Sequence, residues 1–506
     1  MIKNRSPIDD PHGTLVAGEG NSFYDVPFEH LLEPALARLR DDHQSEAYRL
    51  GERSVSFGEI GARAAAVRQQ LLKAGVRSGQ VVTLLGRPTV EWIAGALGTL
   101  ATGATLAPLD HHLTQFELEG LVTRTGSVLT LATEGCPISG ATVQAVDQGT
   151  ARDPLELDGD GVAVILPTSG STGLPKPVML THRNLIQGLM SFLDVLGCGS
   201  DERTCIAVPI FHVTGLVDQL LQMLWLGGMC RILPDYSTTA MIHSLQEDEI
   251  TIMISVPAVF AMLVQKPPAS PLALRLALYG GAPISTATVR ALQDLVPGVV
   301  AIQGYGMTEM SSLATALPRE RAYDAPGSVG IPSPITRLRI VGESGECGVG
   351  ELGEIFLTGP NRSPGYLGMP EATAAAIDQE GWYHTGDIGW RDSTGLVYFA
   401  GRKSQLINRG GEKVSPREIE SALCEVEGVA EAVAFGLPHH ILGEVPAAAL
   451  VPVPGRVIDP VMVEQIMGER LAPFKWPTRI LTLDAIPLAV TGKPDLQRLR
   501  GLCAEG

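Results

Sequence analysis

Apolar and polar positions along this chain follow two rhythms in alternation. FGEIGARAAAVRQQLLKAG, from Phe57, repeats its apolar positions at helical spacing and ends at Gly75, which predicts an amphipathic helix. VVTLLG, just after it, is a short unbroken apolar run and predicts a buried strand; TVEWIAGALGTLATG predicts a second helix closed by glycine. The succession continues through the strand-like runs GVAVILP, TIMISVP, LRLALYGG and VVAIQGYG. Strands alternating with helices predict parallel sheets covered by helices, the α/β class. Upstream, Pro27 to Leu39 carries apolar residues at helical spacing, and YRLGERSVSF predicts a hairpin turning at Gly51.

The rhythm changes near Ile335. TRLRIVG, GELGEIFLTG and LVYFAG predict short antiparallel strands with glycines in the turns. Beyond Arg402 comes a small α+β pattern: a helix at SPREIESALCEVEG, strands at AEAVAFGLP and AAALVPVPG, and a helix at PVMVEQIMGERL. A chain of 506 residues exceeds one compact core. The pattern divides it into an N-terminal domain, residues 1–403, and a C-terminal domain, residues 404–506. LRLALYGG and VVAIQGYG run directly into glycine-rich turns, and in open α/β sheets ligands sit at the carboxyl ends of strands.

Composition narrows the class. The 38 Lys and Arg against 55 Asp and Glu give a formal charge of −17, which opposes nucleic-acid or anionic-lipid binding over a broad surface. The seven cysteines are scattered without a C-x-x-C pair, so neither a zinc site nor a disulfide framework is predicted. The N-terminus lacks the apolar run of a signal peptide, and the most apolar stretches are interrupted by Glu91 and Asp218. A cytoplasmic protein without a membrane span is expected.

The strongest local signal is PTSGSTGLPKPVMLTHRNL, from Pro167 to Leu185. It follows a predicted strand and packs Thr168, Ser169, Ser171 and Thr172 among Gly170 and Gly173, with Lys176 behind. Small residues let backbone N–H groups approach phosphate oxygens, hydroxyls add donors, and the lysine supplies charge. Pro175 and Pro177 flank Lys176, so no helix opens there as a Walker A loop requires. The next helix is predicted from Thr181 as N-cap, with Leu185, Ile186, Leu189, Leu193 and Leu196 on its apolar face.

TSGSTGLPKPVMLTH resembles the phosphate-binding signature of the acyl-adenylate-forming superfamily, which includes acyl-CoA synthetases, peptide-synthetase adenylation domains and firefly luciferase. PIFHVTG, LYGGAPIS, QGYGMTE, WYHTGD, GRKSQLINRGGEKVSPREIE, FKWP and VTGKPDLQRL resemble further signatures, in the family's order and across most of the chain. The resemblance implies a large N-terminal domain of two α/β subdomains and a β-rich one, followed by a small mobile α+β domain. It also implies an activity: ATP and Mg2+ activate a carboxylic acid to an acyl adenylate, with release of pyrophosphate.

Site roles follow by the same resemblance. Glu309 would hold Mg2+ and Thr308 would donate to the α-phosphate. Asp387 would accept from the ribose hydroxyls, reinforced by Arg402. Tyr305 would face the adenine, with Gly280, Gly281 and Ala282 leaving room for the base. Lys493, between Gly492 and Pro494, would bridge the carboxylate and the α-phosphate. His212, Gly215, Leu216, Gln219 and Gly304 would line the acid pocket. Peptide-synthetase domains carry an aspartate near here for the amino-acid ammonium; FHVTG lacks it, so the expected acid has no α-amine. The hinge position, commonly aspartate or lysine, is Ser404 here. Asn408 to Pro416 resembles the loop bordering the pantetheine channel, which favours CoA as acceptor. The scaffold also serves amide-forming ligases resembling coronafacate–amino-acid ligases, and a non-catalytic nucleotide or acyl sensor is the third alternative.

Overall fold

A computed structural model describes residues 14–17, 22–133, 136, 141–142, 161–168, 175–233, 237–281, 284, 286–325, 327–403, 405–410, 412–453, 455–488 and 494–505. Ser169, Gly170, Ser171, Thr172, Gly173, Ala282, Ser404 and Lys493 lie outside them.

Two large sheets, a five-stranded antiparallel sheet and a small C-terminal sheet organise the chain. In the first large sheet, Val81–Leu85 pairs in parallel with Thr105–Leu109 and Leu129–Ala132. The hairpin Val162–Thr168 and Lys176–Thr181 extends it, and Gly365–Tyr366 closes that edge. The helix Phe57–Lys73 starts at Ser56, whose hydroxyl accepts from the Glu59 amide, and packs against Val90–Ala101. Contact is tight because residue 98 is glycine: a Cβ there would fall 2.7 Å from the Ala64 carbonyl oxygen.

In the second large sheet, Glu46–Leu50, Met229–Ile232, Arg203–Ile206, Ile252–Ser255, Leu276–Tyr279 and Val300–Met307 run parallel in that spatial order. One core cluster reaches across both large sheets and includes Trp92, Trp225, Leu189 and Ile302. The antiparallel sheet orders Gly345–Glu346, Arg337–Gly342, Gly353–Thr358, Tyr383–Arg391 and Val397–Arg402. Beyond it, Val429–His439 and Gly443–Pro452 form a long hairpin with its own core of Ile407, Ile419, Leu423 and Leu450. This is a large N-terminal region followed by a small α+β one.

Two expectations need correction. The helical spacing from Pro27 to Leu39 yields only a short 3-10 turn, Glu33–Ala35, and the helix Leu36–Asp41. Ahead of Pro34 the backbone is held otherwise: Leu31 N–H donates to His182 Nδ1 and Leu32 N–H to His30 Nδ1. These side-chain acceptors replace helical carbonyls. VVAIQGYG, expected to end in a glycine turn, stays extended through Met307 because Gly304 to Met307 pairs with the returning strand Ser312–Ala316. Gly306 permits that pairing, since a Cβ there would overlap the Ser312 carbonyl.

Candidate active site

Three sheets present their polar side chains to one region. The strand Val300–Met307 carries Tyr305 and leads into the turn Thr308–Met310, which holds Thr308 and Glu309. Backbone contacts fix the turn: Ser363 N–H donates to the Glu309 carbonyl at 2.8 Å and Asn361 Nδ2 to the Met310 carbonyl at 3.1 Å. Tyr366, on the strand paired with Lys176–Thr181, donates its hydroxyl to Glu309 Oε1 at 3.0 Å. Tyr383 Oη lies 3.1 Å from Tyr366 Oη. Lys176 Nζ sits 5.0 Å above the Tyr366 ring, within cation–π range. Glu309, Tyr366, Tyr383 and Lys176 thus form one group drawn from three parts of the chain.

A second group stands beside it. Asp387 is 1% exposed and accepts the Tyr305 hydroxyl on Oδ2 at 2.7 Å. Arg402 Nε lies 2.7 Å from Asp387 Oδ1, as an ion pair outside hydrogen-bonding geometry. Burial pushes the Asp387 carboxyl above its usual range, with Arg402 pulling the other way. Asp387 and Arg402 face each other across paired strands. The Tyr305 ring packs 6.1 Å from Phe399, over which the Arg417 guanidinium lies at 4.8 Å. Arg417 belongs to the C-terminal helix Pro416–Leu423, whose N-cap Ser415 donates to the Ala400 carbonyl.

Gly280 and Gly304 lie where the parallel pairing of the two neighbouring strands stops; a Cβ on Gly280 would come within 2.8 Å of the Gly304 carbonyl oxygen. Gly281 follows with φ +75° and open space at its Cβ position. His212 is exposed and precedes the short helix Val213–Gly215, its ring 4.9 Å from Phe211. Gly215 packs against the Pro209 carbonyl. Leu216 and Gln219 are fully buried, and the Gln219 amide pairs with Thr204 and the Thr214 carbonyl. A wide π-type turn over Leu216–Leu221 sets this helix's phase, which 3.6-residue spacing does not predict. Thr168 donates its hydroxyl to the Lys176 carbonyl at 3.3 Å across the base of the phosphate-loop hairpin.

The AMP-binding enzyme family matches residues 37–367, and the AMP-binding enzyme C-terminal domain matches residues 418–493. This chain belongs to the AMP-binding enzyme family. A feruloyl-CoA synthase from Amycolatopsis sp is 33% identical over 476 residues, covering 90% of this chain and 96% of that protein. The o-succinylbenzoate CoA synthetase of Bacillus subtilis, solved with the acyl-adenylate intermediate OSB-AMP, superposes with TM-score 0.82 at 27% identity. That alignment covers 92% of this chain and 97% of the other. The same synthetase in complex with ATP and magnesium ion gives TM-score 0.81 at 28% identity, covering 92% and 99%.

In this AMP-binding enzyme the sequence reading missed Tyr366, Tyr383 and Arg417. Tyr383 sits inside WYHTGD and was within reach of the motif. Arg417 likewise sits inside GRKSQLINRGGEKVSPREIE. Tyr366 lies in none of the quoted motifs and joins the site only through sheet pairing. Glu309 and Thr308 offer oxygen ligands, the type a hard divalent cation takes alongside substrate phosphates.

Proposed function

We propose that this chain is an AMP-forming acid–CoA ligase that passes through an acyl adenylate. The observation that carries the reading is the meeting of Glu309, Tyr366 and Lys176 with Asp387 and Tyr305 where three sheets converge. Adenylation brings a carboxylate to the α-phosphorus of ATP, so two anions must approach. Cations and fixed donors are therefore needed where charge develops. Lys176 and the loop from Thr168 to Gly173 receive the phosphates; Glu309 holds the Mg2+ that accompanies ATP as substrate, with Thr308 beside the α-phosphate. Asp387 takes the ribose hydroxyls, its Oδ1 having no hydrogen-bond donor among the described residues. Tyr305, Gly280, Gly281 and Ala282 enclose the adenine.

The acid, lacking an α-amine, binds beside His212 and the helix that follows, with Gly304 on the strand side and Gly215, Leu216 and Gln219 forming the helix side. Residues 404–506 act as a mobile domain that delivers Lys493, turning about Ser404. The contacts of Ser415 and Arg417 with the Ala400–Phe399 edge support an approach from that side. Seven free cysteines fit a reducing cytoplasm, and no helix among the described residues is long and apolar enough to cross a membrane. CoA as acceptor is supported by the chain's alignment with CoA ligases over most of its length.

The test is incubation with ATP, Mg2+ and a panel of carboxylic acids, with CoA in one half and amino acids in the other, read by mass spectrometry. Acyl-CoA in the first half is the expected result, and Lys493→Ala abolishes it. Amides without CoA would reassign the acceptor. Absence of AMP in both halves would point to a sensor.

A further inference from the structure

The helix after His212 carries a carboxylate that no role above uses. Asp218 is 3% exposed, set within the wide turn Leu216–Leu221 among Leu216, Val217, Leu220 and Leu221, none of which is exposed. Its Oδ2 accepts from the Ser312 hydroxyl, and no other hydrogen bond reaches the side chain among the described residues. One turn further on, Gln222 is fully buried with both amide atoms unpaired. A carboxylate with one partner and a primary amide with none are costly in apolar surroundings.

The other side of the contact is strained. Ser311 and Ser312 hold φ of 52° and 107°, left-handed values that residues with a Cβ avoid. Ser312 is the residue paired with Met307, immediately before Thr308 and Glu309. Asp218 and Ser312 therefore join the helix after His212 to the strand that returns from the Thr308–Met310 turn. π-type turns and strained backbone both concentrate at functional sites.

We propose that Asp218, oriented by Ser312, and Gln222 form a hydrogen-bonding wall of the acid pocket, so that the acid activated here carries a hydroxyl group remote from its carboxylate. This rests on the acid–CoA ligase reading. A hydroxyl supplies the donor that Asp218 Oδ1 lacks and an acceptor for the Gln222 amide. It does so without bringing a charge into an apolar site beside a carboxyl that burial keeps neutral, which favours it over an ammonium group. Burial raises the Asp218 carboxyl well above its usual range, which fits a neutral partner.

The test is ATP–pyrophosphate exchange with matched acids of equal length: a distal hydroxyl, its methyl ether, the unsubstituted parent and a distal amine. The hydroxy acid is expected to exceed the ether and the parent by about 10⁴-fold in kcat/KM, because a site built to pair a hydroxyl rejects analogues lacking it. Asp218→Leu should erase that ratio while the melting temperature holds or rises, since an apolar replacement removes a buried carboxyl. Asp218→Asn, which keeps the shape, should retain part of it. Equal rates across the four acids, or a fall in all of them together with the melting temperature, would make Asp218 a structural staple and overturn the proposal. Preference for the amine would overturn the hydroxyl assignment. If no acid supports exchange, the ligase reading itself fails, and this inference with it.

Discussion

Replacing Tyr366 with phenylalanine isolates one hydroxyl. The ring stays, and with it the Lys176 ammonium 5.0 Å above it. What is lost is the donor 3.0 Å from Glu309 Oε1. A hydrogen bond to a charged group contributes about 1.5–3 kcal/mol. Tyr383, whose hydroxyl lies 3.1 Å from Tyr366 Oη, can take up part of the loss, so the lower portion, about 1.5–2 kcal/mol, applies. That is roughly a 10- to 30-fold higher Mg2+ concentration for half-maximal exchange. The assay is a Mg2+ titration of ATP–pyrophosphate exchange at saturating acid, with the melting temperature as control. Burial and Glu309 push the Tyr366 hydroxyl above its ordinary value of 10.0, so it remains a protonated donor and the effect should persist unchanged up to that pH. An unchanged Mg2+ requirement would refute the link between Tyr366, Glu309 and the metal. A lowered melting temperature beside it would leave Tyr366 a packing residue only.

Asp387→Asn removes a carboxyl whose folded-state value burial has raised. Such a group contributes stability below its unfolded-state value and loses it as pH rises through the folded-state value, so the variant should melt at or above wild type at pH 7. It should bind AMP more weakly by calorimetry; Arg402, half exposed, keeps its solvation. Gly330→Ala places a Cβ against the Ala316 carbonyl at φ +86°, and a loss of about 4 kcal/mol or more is expected in denaturant unfolding. Thr181→Ala removes the N-cap acceptor 3.1 Å from the Asn184 amide and should cost about 1 kcal/mol by the same measurement.

The elements whose pattern depends on near neighbours were legible in the chain itself. Gly75 at the end of FGEIGARAAAVRQQLLKAG, Thr181 before the next amphipathic run, and Gly51 in its hairpin each act over three or four residues, and the structure places them in those roles. The succession of strands and helices, the antiparallel segment after Ile335 and the α+β pattern beyond Arg402 were legible for the same reason: periodicity is a local property. The family motifs added Glu309, Asp387 and Arg402 because their spacing is fixed along the chain.

Tertiary structure decided the rest. Pro27 to Leu32 reads as helix until His30 and His182, the latter far along the chain, take its N–H groups. The glycines of VVAIQGYG read as a turn until a partner strand pairs with them. Tyr366 reaches Glu309 only because Gly365–Tyr366 joins the edge of a sheet formed mostly by the first half of the chain. Asp218 was visible as the one carboxylate in an apolar stretch, but its meaning depends on Ser312, brought beside it by the fold. Hydrogen bonds between distant segments leave no periodic trace in sequence, so the fold's outline was written locally and the chemistry of its site was completed by long-range contact.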